Sequence, residues 1–97
     1  MNVEGSVQVI WLNRQATKET PTFAVTWSPY SPRNQSGTIP TVKCVGVESL
    51  RYFLRDEVGL SQKSIRDWLK NLETEGEISV PNVILDSDDL KKIGLFD

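Results

Sequence analysis

The 97-residue chain carries 11 basic and 13 acidic side chains, a net charge of −2, with 38% hydrophobic residues, no histidine and one cysteine. That length and composition predict one globular domain with a modest core. They exclude Ser-His-Asp and Cys-His nucleophile systems, and a lone thiol supplies neither an internal disulfide nor a Cys/His zinc site.

Ser6-Val-Gln-Val-Ile-Trp-Leu-Asn13 is β-branched and aromatic, and predicts a strand over 6–13. Thr22-Phe-Ala-Val-Thr-Trp27 predicts a second over 22–27, with the polar stretch Arg14 to Pro21 as the hairpin loop. A loop centred near Thr17 pairs Val7 with Trp27, Val9 with Val25 and Trp11 with Phe23. All six are odd-numbered and therefore share one face. The other face (Gln8, Ile10, Leu12, Thr22, Ala24, Thr26) is mixed and is expected to be half exposed. Ser28 to Gly37 holds two prolines and a glycine and reads as a loop, with Tyr30 and Arg33 as its expected contact residues. A third strand is predicted over 41–46. Pro40 assigns it to an edge or confines it to the residues that follow.

The apolar period then changes. Leu50, Phe53, Leu54 and Val58 mark an amphipathic helix over 48–58, ended by Gly59. Ser61 is an N-cap for a second helix over 62–75, whose core-facing stripe is Ile65, Trp68, Leu69 and Leu72 and whose terminator is Gly76. Residues 78–85 form a short extended segment interrupted by Pro81. Asp86 caps a last helix over 87–93, stopped by Gly94. Strands first and helices after give an α+β architecture. Cys44, between Val42 and Val45, reads as a core residue. Asp86-Ser-Asp-Asp89 lacks the glycine and glutamate of a calcium loop and reads as a cap with acids facing the helix dipole. Neither Gly-X-Gly-X-X-Gly nor a Walker pattern occurs, so no cofactor and no metal are expected.

The stretch Gly59-Leu-Ser-Gln-Lys-Ser-Ile-Arg-Asp-Trp-Leu-Lys-Asn-Leu-Glu-Thr-Glu-Gly76 resembles the turn and recognition helix of bacterial winged helix-turn-helix regulators. There a Gly-Leu-Ser turn precedes a helix ending in Leu-Glu-X-Glu-Gly. Carried over residues 59–90, the resemblance implies that Ile78 opens the wing, Val83 to Asp86 form its return strand, and Asp89-Leu90 lie in a final short helix. It also implies a DNA-binding or transcription-associated role, with Gln62, Lys63, Arg66 and Lys70 turned toward the major groove.

Charge orders the alternatives. Residues 1–46 carry a net +2 and residues 47–97 a net −4, and acidic surfaces repel phosphates. The reading placed first is therefore a small non-catalytic cytoplasmic module that binds another macromolecule, most simply a protein. Its expected contacts are Tyr30, Arg33, Gln62, Lys63, Arg66 and Lys70. Nucleic acid stands second, and neither a membrane span nor a secretory leader is read in the sequence.

Overall fold

The computed structural model describes residues 1–30 and 40–95, so Arg33 and most of the 28–37 segment lie outside the described residues. Strands β1 (Asn2–Trp11), β2 (Thr22–Pro29) and β3 (Thr41–Val45) come first. Helix α1 (Val47–Tyr52), a π-helical segment (Phe53–Glu57), α2 (Gln62–Glu75), β4 (Glu77–Asp86) and α3 (Ser87–Lys92) follow. The fold is α+β. Its four strands form one antiparallel sheet in the order β3-β2-β1-β4.

The hairpin has the register expected from its odd-numbered residues: Val7 faces Trp27, Val9 faces Val25, and Trp11 faces Phe23. Val7, Val9, Phe23, Val25 and Trp27 are buried, and they form one cluster with Leu50, Leu54, Ile65, Leu72 and Leu90 from the helices. Each fully buried side chain of this size contributes about 1.5–3 kcal/mol relative to exposure, so this face is what makes the sheet and helices one body. The opposite face is bare where Gln8 and Ile10 lie and half covered at Thr22 and Thr26, while Ala24 is buried. β3 is an edge strand that starts directly after Pro40 and ends where Gly46 takes a positive φ of 93°.

Several boundaries differ from the sequence reading, each for a physical reason. β1 begins at Asn2 rather than residue 6, because residues 2–5 pair with Val83 to Asp86. It ends at Trp11, where Asn13 turns the chain by accepting from the Thr22 N–H (2.8 Å) and donating to the Thr20 carbonyl (2.9 Å). β2 runs on to Pro29, opposite Gly5. The helix expected over 48–58 is regular only over α1. It then widens, and the Val58 N–H reaches the Phe53 carbonyl five residues back (3.0 Å). Gly59 (φ 87°) ends it as expected.

The largest difference is β4. Residues 77–86 form one ten-residue strand along β1 rather than a short broken segment or the two arms of a wing. Pro81 does not interrupt it, because Pro81 and Asn82 occupy a bulge where the register shifts between Gly5 and Val7. Asn82 is left-handed there (φ 59°), a conformation that asparagine tolerates better than most residues. The N-cap assigned to Asp86 is present, its carboxylate accepting from the Asp88 N–H (2.8 Å). Among the described residues no helix is long and apolar enough to cross a membrane.

Candidate functional site: a basic-rimmed cleft beside α2

Local sequence fixes α2 at both ends. The Ser61 hydroxyl accepts from the Ser64 N–H (3.2 Å), and Gly76, at φ 81°, donates its N–H to the Leu72 carbonyl (2.8 Å). Arg14, from the hairpin loop, adds a clamp. Its guanidinium donates to the carbonyls of Glu73 (3.0 Å) and Thr74 (2.7 Å), where the helix dipole is negative. The Trp11 N–H also bonds to the Gly76 carbonyl (2.9 Å), tying the end of β1 to the end of α2.

Four apolar residues were expected to face the core from α2. Ile65 and Leu72 do so, each 2% exposed, whereas Trp68 and Leu69 are only half-buried on either side of that line. Leu69 lines a cleft of about 460 Å³ between α1 and α2. Its apolar surface comes from Trp11, Phe23, Val47, Ile65, Leu69 and Leu72. The Trp11 and Phe23 rings lie 5.8 Å apart at 42°, and the Trp11 indole N–H donates to Asn13 Oδ1 (3.2 Å). The volume falls in the range of small binding pockets, with an apolar floor and polar groups at the rim.

The rim is cationic. Arg51 and Arg55 border the cleft on one side and Arg66 and Lys70 on the other, against a single carboxylate, Glu73. Arg51 pairs with Glu48 (3.1 Å) and Arg55 with Asp56 (2.9 Å). The hydrogen bond that Arg55 donates to Asp56, then the charge of that carboxylate, raises the guanidinium pKa above its ordinary value. Both pairs are exposed, where high dielectric and side-chain entropy make an ion pair weak and readily exchanged. Arg66 and Lys70 are exposed and make no ion pair or side-chain hydrogen bond among the described residues.

Three of the sequence-predicted residues, Gln62, Arg66 and Lys70, therefore meet at one site. Lys63 is exposed on the same helix but does not line the cleft. Tyr30 lies at the opposite end of the sheet. Its N–H bonds to the Glu4 carbonyl (3.0 Å), and its hydroxyl accepts from the Asn82 N–H (2.8 Å). Sequence reasoning missed Arg51 and Arg55 and took Trp11 and Phe23 for core alone. The available signal was the repeated spacing: Arg51 and Arg55 stand four apart, as do Arg66 and Lys70.

A second hollow, about 570 Å³, runs beside β3 with buried Cys44 in its wall. Burial pushes the Cys44 thiol up, which holds it protonated and unreactive near neutral pH. The charged lining residues there balance, Lys43 and Lys92 against Glu48 and Glu57, so this hollow selects no charge. Among the described residues no three metal-ligating side chains gather. Compared with known proteins, the chain matches no family model, no curated protein and no solved structure.

Proposed function

We propose that this chain is a non-catalytic binding module that engages another protein through α2 and the cleft beside it. The observation that carries this reading is the pair Arg66 and Lys70, exposed and without an ion-pair partner among the described residues, beside a cleft in which Trp11 and Leu69 are only half-buried. Free cations are well hydrated, so a partner that buries the apolar surface beside them must also supply carboxylates to offset their desolvation. DNA binding through the same cations is the rival. Glu73, Glu75 and Glu77 follow them directly and are exposed, which opposes a phosphate backbone.

A photoreactive residue at position 62 of the full chain, introduced in cells that express it, tests the reading. The expected result is a protein adduct that disappears when Arg66→Glu and Lys70→Glu are combined. Adducts that persist in the double variant would contradict it. So would tight binding of a purified duplex that weakens steeply with salt.

A further inference from the structure

The cleft's charge also specifies the kind of partner. Resting on the reading above, we infer that the occupant is an acidic, amphipathic segment of a partner protein, with carboxylates flanking one large apolar side chain. Three observations meet here. Arg51 and Arg55 are paired internally, but Arg66 and Lys70 have no ion pair among the described residues and Glu73 is the one carboxylate lining the cleft, so a neutral or basic segment would desolvate both cations without compensation. The floor is aromatic and aliphatic, and Trp11 is held in place by Asn13, so an inserted Leu, Phe or Trp meets a preformed surface. The hollow beside β3 is of similar size but has balanced charge, which makes the sign of the α2 cleft a property of this site rather than of the whole surface.

The spacing defines the contact further. Arg66 and Lys70 lie one turn apart on α2, so two carboxylates one helical turn apart, or two residues apart in an extended segment, reach both. Arg51 and Arg55 face them across the cleft and can exchange Glu48 and Asp56 for carboxylates of the occupant, because both internal pairs are exposed. The apolar anchor then enters between the two basic walls, over Trp11 and Leu69.

Selection of a displayed library of random dodecapeptides on the full-length chain tests this. The expected outcome is enrichment of peptides with Asp or Glu on both sides of a Leu, Phe or Trp. Arg66→Glu with Lys70→Glu weakens those peptides by about tenfold or more, and replacing their carboxylates by lysine restores binding to that variant. Both positions are exposed, and an unchanged circular dichroism spectrum verifies that the variant folds. Neutral or basic winners, winners that bind the double variant equally well, or no enrichment above background would overturn the inference. If the position-62 adduct still forms and depends on Arg66 and Lys70, the module reading stands and only the acidic partner falls. If that adduct is also absent, both fail.

Discussion

Asn13 joins three points of the hairpin with one side chain. Its carbonyl oxygen accepts from the Trp11 indole (3.2 Å) and the Thr22 N–H (2.8 Å), and its amide donates to the Thr20 carbonyl (2.9 Å). Asn13→Ala leaves those groups unpaired at a half-buried site and releases the ring that floors the cleft. A loss of about 1–3 kcal/mol in urea unfolding is expected. Asp86 caps α3 through its side-chain carboxylate. The Asp88 N–H, and next the Met1 ammonium (3.2 Å), hold its carboxylate below the ordinary value of 3.8. A lowered native value favours the folded state only while the carboxylate is ionised. The contribution is therefore full above the unfolded value and disappears as pH falls through the native one. Asp86→Asn keeps a cap without the titration. The stability gap between wild type and variant should shrink from pH 7 toward pH 2, and a gap independent of pH would contradict the assignment.

Among the strands, Gly5 lets β1 lie close against β2, next to the point where Pro81 and Asn82 bulge out of β4. An added Cβ at Gly5 would lie 2.9 Å from the Trp27 ring and 2.9 Å from Pro29 Cα, and would press on the Ser28 carbonyl. Backbone cannot yield as a flexible side chain does, so Gly5→Ala is expected to cost about 3 kcal/mol, read as a lowered urea midpoint. For α2, Arg14→Ala removes the clamp on its last carbonyls and should cost about 1 kcal/mol, with Arg14→Lys recovering part of it. These elements also show what could be read from sequence. The hairpin register was legible because the large residues at 7, 9, 11, 23, 25 and 27 share one parity and bury together in a single pairing. α2 was legible because Ser61 and Gly76 are strong end signals. β4 was not, since its inward residues Ile78 and Val80 change parity to Val83 and Leu85 across the bulge. A one-residue shift of this kind breaks the period on which strand recognition rests. The spacing of Arg51 and Arg55 was visible, but their place beside Arg66 and Lys70 depends on how α1 and the π-helical segment pack against α2, which no local pattern encodes.

For the whole molecule, the net charge of −2 conceals a local reversal. The acidic second half places four cations at the rim of the cleft, two of them paired with Glu48 and Asp56 and two, Arg66 and Lys70, with no ion pair among the described residues. Tyr30, bound to Asn82 at the far end of the sheet, supports that end of the fold instead of adding to the cleft. On the proposed reading Arg66 and Lys70, beside Trp11 and Leu69, receive an acidic protein segment. The most direct test of that reading is a ¹H–¹⁵N NMR titration of the full chain with a synthetic dodecapeptide bearing carboxylates on both sides of a phenylalanine. Shifts are expected at the Trp11 indole N–H and the amides of Arg66, Leu69 and Lys70, and are lost in the Arg66→Glu/Lys70→Glu variant. Shifts centred on Ile10 and Ile84 of the open sheet face, or none at all, would contradict it.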